Sequence, residues 1–202
     1  LKHIINKYLQ RYPAISYVSK WLIISIILGI LVGSASAIFL ISLDWATNFR
    51  ESHLWIIMFL PLAGLLIGLL YNYLGKEIEP GNNLLIDTIH DPQKIIPFRM
   101  APFVFIGTIA THLFGGSAGR EGTALQMAGA IADQLTKPFR LTKEDRKILI
   151  IAAIAAGFGS VFGTPLAGAL FGLEVFLIGR IQYNAIFPAF AAAILADNVA
   201  KM

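Results

Sequence analysis

Apolar residues run through this chain in long uncharged stretches set apart by short polar ones, and the stretches come in two lengths. Residues 21–43 contain no charged side chain. At 1.5 Å rise per residue, a helix of that length reaches about 35 Å, enough to cross a bilayer core with some tilt. Gly29, Gly33, Ala35 and Ala37 lie within it, small residues that allow helices to pack closely. Asp44 is expected to end this span. Residues 54–74 form a second span, containing Pro61, Gly64 and Gly68, which would return the chain to its starting side. Residues 95–114 form a third, with Pro97 and Pro102 near its start. The other stretches are shorter. Residues 81–90 and 123–135 are too short to cross alone. Residues 148–156 are apolar, and Gly157, Gly159 and Gly163 are expected to break the helix there. Residues 165–178 begin with Pro165, a residue suited to the first helical position. Residues 181–200 form the last apolar stretch.

Full spans alternating with short, interrupted ones predict an all-α membrane protein of a particular kind. Irregular backbone at membrane depth survives only where protein buries it or where it lines a cavity. Paired short or broken segments mark the binding sites of transporters. Residues 1–20 precede the first span. Tyr8, Tyr12 and Tyr17 among basic residues read as a cytoplasmic or interfacial lead-in helix interrupted at Pro13, with no secretory signal expected ahead of it.

Composition agrees. Of 202 residues, 56% are hydrophobic and 14% charged, and the mean hydropathy is +0.70. A soluble domain of this size leaves too much surface in water to hide that apolar content. There is no cysteine, so neither a disulfide framework nor a thiolate metal site can form. The net charge of +4 is informative through its placement. Lys2, Lys7, Arg11 and Lys20 precede the first span, and Lys137, Arg140, Lys143, Arg146 and Lys147 cluster later beside only Glu144 and Asp145. Basic loops stay cytoplasmic, so residue 1 and the loop 137–147 are placed on that side and are topology markers, with no nucleic-acid partner implied. No hydrolytic triad, metal-ligand spacing or phosphate-binding loop is visible. No enzyme activity, cofactor or bound metal is expected.

The run Gly115-Gly116-Ser117-Ala118-Gly119-Arg120-Glu121-Gly122, leading into Thr123, carries the chemistry. Glycines let backbone approach a ligand closely. The helix that follows turns its unpaired N–H groups and positive dipole end back toward them, a ready anion site. Arg120 and Glu121 sit where a membrane protein avoids charge, which points to function. A carboxylate at such a site can occupy it in place of an anion, and protonation would release it. The other reading is a buried Arg120–Glu121 ion pair with glycines serving only helix packing. A second stretch, residues 157–174, combines a broken-helix entry with Glu174, and its spacing of Gly159, Gly163, Gly168 and Gly172 reads as helix packing.

Two motifs resemble a known family. GREGT at residues 119–123 is similar to the GREGP motif of the CLC chloride channels and proton antiporters, and FGTPLAGALFGLE at 162–174 to the family's FNAPLAGxLFxxE. They occur in the family's order with a basic loop between them. The resemblance covers the chain from about residue 21 to its end and corresponds to the first of two inverted-topology repeats plus the leading helix. It implies that Glu121 is the external gating glutamate. It also implies that the backbone around Gly119, Arg120, Gly122 and Thr123 coordinates an anion. Gly81, Asn82 and Asn83 begin the short helix equivalent to the one that opens with the family's GSGIP serine. The departures bear on substrate. Thr123 replaces a proline, and Asn82 and Asn83 replace serine and glycine; amide donors suit a smaller, harder anion, as in the fluoride-transporting branch. Val175 aligns with the antiporters' internal proton-transfer glutamate and cannot relay protons, which favours a channel or a different inner proton route. Glu174 matches a structural glutamate. His90 and His112 are isolated and read as packed or interfacial.

The resemblance therefore implies chloride or fluoride transport, with protons, in a multi-pass bacterial inner-membrane homodimer. The second repeat, with its own anion donors, is not visible, so the chain is expected to be a fragment or one product of a split pair. The alternative from another class is a non-transporting membrane subunit or degenerate half-transporter, active only in assembly.

Overall fold

The computed structural model describes residues 13–91, 95–175 and 182–202. Among these residues all regular structure is helical. Helix α1 (Pro13–Ser52) is followed by a 3₁₀ segment (Leu54–Phe59), α2 (Leu60–Leu74), α3 (Asn82–His90), α4 (Met100–Leu113) and α5 (Arg120–Asp133). A 3₁₀ turn (Gln134–Thr136) leads to α6 (Lys143–Phe162) and α7 (Pro165–Glu174), and a last 3₁₀ turn (Tyr183–Ala185) opens α8 (Ile186–Ala200). Among the described residues, three helical stretches are long and apolar enough to cross a membrane: Ile15–Ser52, Leu54–Leu74 and Tyr183–Ala200.

Several boundaries differ from the sequence expectation. Asp44 does not end the first span; α1 runs through it to Ser52. Aspartate costs a helix only some tenths of a kcal/mol, and Asp44 is exposed while Leu43 and Ala46 on either side are buried. Pro13 is the first described helical residue, and the helix is unbroken from there; residues 1–12 of the expected lead-in lie outside the described residues. The third apolar stretch becomes helical only at Met100. Its lead-in holds another arrangement, with the Ile96 N–H donating to Asp133 Oδ2 at 2.7 Å. A residue before proline, as Ile96 is before Pro97, disfavours helix. The fifth helix starts at Arg120, three residues ahead of the expected Thr123.

Gly157 and Gly159 do not break α6, which continues to Phe162. They thin its surface instead. A Cβ on Gly157 would lie 2.7 Å from the Ala124 carbonyl oxygen, and one on Gly168 of α7 would lie 2.6 Å from Gly159 Cα. These are backbone-to-backbone approaches that no larger residue permits. Only Gly163 stops the helix, as a left-handed cap (φ 66°) whose N–H bonds the Gly159 carbonyl.

Helix α6 is the centre of the fold. Residues 148–157 are buried on every side, which explains a sequence without polar periodicity. Helices α5, α7 and α8 pack around it, and α1 closes against α8 and α6. Ser160 Oγ of α6 donates to Ser36 Oγ of α1 at 2.8 Å, a polar tie inside this apolar interface. Helix α2 stands apart: only Ala63 is buried, while Leu62, Leu65, Leu66 and Leu69 are exposed. An apolar face of that extent is covered by lipid or by further protein.

The ends of α5 and α6 are tied by charge. Asp133 is fully buried and accepts from Arg146 Nε at 2.6 Å and a second guanidinium nitrogen at 2.7 Å. Arg146 thus belongs to the core, not to the exposed basic loop expected from the sequence. Lys143 and Lys147 likewise fall within α6. Thr142 caps α6 through a capping box with Asp145, and Lys20 of α1 reaches Asp145 at 2.8 Å.

Two helix beginnings that share a candidate anion site

Helix α4 ends in a tight turn. Gly115 takes φ 85°, and the Gly116 N–H returns to the Thr111 carbonyl at 2.8 Å. This left-handed termination is open to glycine. His112 Nε2 bonds the Ala118 carbonyl at 2.9 Å and holds the loop. The chain is then non-helical through Gly119, and α5 begins at Arg120 with no side-chain cap. The first four N–H groups of a helix have no partner within it. Here they form a concentrated positive end with nothing from a capping side chain to satisfy it.

Glu121 and Gly122 lie in that first turn. Glu121 Oε2 lies 2.9 Å from where a Cβ on Gly119 would stand, so the carboxylate folds back over the helix beginning. Arg120 and Glu121 are both exposed, and they form no ion pair with each other. Thr123 is buried, with its hydroxyl 2.6 Å from Thr108 Oγ1 of α4 and 3.3 Å from the Gly119 carbonyl. The side chain that replaces the proline of the resembling motif is therefore engaged in fastening α5 to α4.

The second beginning is that of α3. Gly81 precedes it with φ 59° and ψ −124°, a conformation open to glycine, and again no side chain caps the helix. The structure brings this end to α5. Asn82 Oδ1 accepts from Gln126 Nε2 at 3.1 Å. Asn82 Nδ2 lies 3.6 Å from where a Cβ on Gly122 would stand. Gly81, Asn82, Gly119, Gly122 and Thr123 thus gather on one region. Asn83 is less central: its side chain is exposed and its N–H donates to the Pro80 carbonyl at 3.1 Å. A cleft of ≈ 270 Å³ opens beside them, lined by Gly119 before α5, Gly122, Thr123 and Gln126 of α5, Thr108 of α4 and Tyr71 of α2.

Gln126 and Thr108 are the residues that sequence reasoning missed. Gln126 stands one turn after Gly122, so helical spacing alone places it on the same face. Nothing local marks Thr108. Among the described residues no group of acids, histidines or cysteines could hold a metal ion. Glu174 is exposed at the end of α7, and Val175 after it packs against the core; residues 176–178 of the expected helix lie outside the described residues.

Comparison with known proteins gives this geometry its relatives. The chain is 59% identical over 192 residues to a chloride/fluoride channel protein of Pseudomonas syringae pv. tomato, an overlap that takes in 95% of the chain and 42% of that protein. It is 30% identical over 187 residues to an H(+)/Cl(-) exchange transporter of Vibrio cholerae, covering 86% of the chain and 39% of the transporter. Among solved structures, a CLC-type fluoride/proton antiporter superposes with a TM-score of 0.86 at 39% identity, over 91% of this chain and 46% of that one. A slow cyanobacterial Cl-/H+ antiporter superposes at 0.74 with 22% identity, a likeness of fold, over 91% of this chain and 46% of that one. The chain spans less than half the length of each of these proteins. The family model described as voltage gated chloride channel matches residues 63–202, and with these likenesses of sequence and fold the chain belongs to that family, the CLC channels and antiporters, and is a membrane protein.

Proposed function

We propose that the complete protein carries chloride or fluoride across a membrane through the shared beginning of α3 and α5, with Glu121 as a protonatable plug. The observation that carries this reading is the uncapped start of α5 with the Glu121 carboxylate folded back over it. The positive helix end attracts a halide and a carboxylate alike, so the two compete. A proton taken up by Glu121 cancels its charge and leaves the N–H groups to the anion; loss of the proton restores the plug. A halide held by N–H donors and an amide, without a full countercharge, is bound weakly enough to leave.

The names of relatives support anion movement, and those of the Vibrio cholerae transporter and the fluoride/proton antiporter pair it with protons. Val175 offers no inner proton relay, so coupling would need another route or be absent. The other half of the site would come from a second repeat, in the same gene product or a separate chain. The assembly is a multi-pass homodimer in the bacterial inner membrane. The test is efflux from liposomes holding the complete protein and loaded with potassium fluoride or potassium chloride. Release of either anion faster than from protein-free vesicles is the expected result; release of neither ends the transport reading and leaves that of a non-transporting subunit.

A further inference from the structure

The Asn82 side chain has two ends of opposite character, an oxygen that accepts and a nitrogen that donates. Which end faces the first turn of α5 decides whether Asn82 attracts an anion there or repels it. In the structure, Gln126 makes that choice. Its Nε2 donates to Asn82 Oδ1 at 3.1 Å, which occupies the accepting end. The donating end, Nδ2, is then the one turned toward Gly122, 3.6 Å from a Cβ position there. Gln126 is itself held in place. It is half-buried on α5, and its amide lies 3.3–3.7 Å from where a Cβ on Gly81 would stand. It is wedged between the two helix beginnings and carries no charge that would compete with a halide.

We propose that Gln126 is a positioning residue that locks the Asn82 amide with its N–H groups toward the anion, and that this lock favours fluoride over chloride. The proposal rests on the reading of Asn82 as an anion ligand. Its chemistry is simple. Fluoride is the smaller halide and the stronger hydrogen-bond acceptor, so a donor fixed in direction gains more from it than from chloride. A side chain at 126 without a donor would leave Asn82 free to turn over. One that only accepts would bond Nδ2 and turn Oδ1 toward the anion.

The test measures the concentration dependence of fluoride and chloride transport by the complete protein in liposomes. Gln126→Met is expected to raise the apparent KM for fluoride about tenfold, the scale of one oriented charge-assisted hydrogen bond. The KM for chloride rises less, so the fluoride-to-chloride preference falls. Gln126→Leu, uncharged and also without a donor, is expected to give the same fall, and it serves alone should Gln126→Met not give monodisperse protein. In an Asn82→Ala background, either change at 126 should add less than about twofold, because residues acting through one another are not additive. An equal effect of the 126 changes with and without Asn82 would overturn the lock. So would an unaltered KM in both 126 variants while Asn82→Ala raises it. If Asn82→Ala itself leaves both KM values unaltered, Asn82 is no ligand and the underlying reading falls with the proposal.

Discussion

Asp133 and Arg146 face each other across the α5–α6 junction in a two-point ion pair, at 2.6 and 2.7 Å, with the carboxylate wholly buried. The Ile96 N–H and the Thr136 hydroxyl fill the remaining acceptor positions on Asp133, at 2.7 and 2.9 Å. One carboxylate thereby fixes the lead-in to α4, the end of α5 and the start of α6. Helix α5 carries the candidate site at its other end, so this junction anchors the helix on which that site is built.

Removing one partner leaves a buried charge without its counterpart. Arg146→Met is expected to destabilise the protein by about 3–5 kcal/mol. Arg146→Lys keeps the charge but not the two-pronged geometry, and should fall between the two. Denaturant unfolding in detergent, followed by tryptophan fluorescence, measures both.

Replacing Glu121 tests the plug directly. Glu121→Gln mimics the protonated acid, so anion flux through the complete protein should lose its dependence on external pH, and any proton movement coupled to it should cease. Flux measured from pH 5 to 8 in the variant and the wild type decides the matter; an unchanged pH profile excludes Glu121 as the gate.

Gly168 is a purely steric prediction. The Cβ of Gly168→Ala would sit 2.6 Å from the Gly159 backbone and 2.8 Å from the Ala155 carbonyl. Backbone cannot swing aside as a side chain would. The α6–α7 contact must open, at a cost of about 1–3 kcal/mol, seen as a lower melting temperature with the halide KM preserved.

At the other end of α6, partial burial pushes the Asp145 carboxyl up, but hydrogen bonds from Lys20 and Thr142, with the Lys20 charge, outweigh this and hold it below its ordinary value of 3.8. A carboxyl with a lowered folded pKa stabilises the protein above the ordinary carboxylate range, and that contribution is lost as pH falls through the folded value. Asp145→Asn should therefore cost about 1–2 kcal/mol at pH 7, combining a screened ion pair with a helix cap. The gap between variant and wild type should narrow once pH falls below 3.8, so it is smaller at pH 3 than at pH 7. Thermal melts at the two pH values measure it.

Lys137 is exposed in the loop before α6. The chain carries no cysteine, so Lys137→Cys gives a single reporter within it. The charge bias predicts that a membrane-impermeant thiol reagent labels it only from the cytoplasmic side. Labelling from outside alone would invert the topology.

The broken character of the fold was legible because glycine, proline and charge stand out in an apolar chain. The start of α5 near Gly119 and the turn at Gly163 are of this kind. What was misread shares one cause: a residue's tertiary partner was out of view. Gly157 and Gly159 have the same local signature as a break, and only the carbonyl of Ala124 and the backbone of α7 show that they thin a continuous helix. Arg146 reads as one more loop cation until Asp133 is seen opposite it. Asp44 reads as a stop until its exposed position on a packed helix is known. Of the candidate site, the α5 half was visible in one contiguous motif. Its meeting with Asn82 spans 44 positions of sequence and hangs on Gln126, an ordinary polar residue in a helix.

The missing caps at Gly81 and Gly119 carry a thermodynamic consequence. At Gly119 a serine, threonine or aspartate would strengthen the helix by roughly a few tenths of a kcal/mol over glycine, and the chain forgoes that; at Gly81 the positive φ of 59° excludes them, so that end stays uncapped by its backbone geometry. The unliganded protein is then less robust than its sequence would allow, and a bound halide restores part of the deficit. Stability should climb with the logarithm of halide concentration above the dissociation constant, so a melting curve taken across a salt series would report occupancy without any flux being measured.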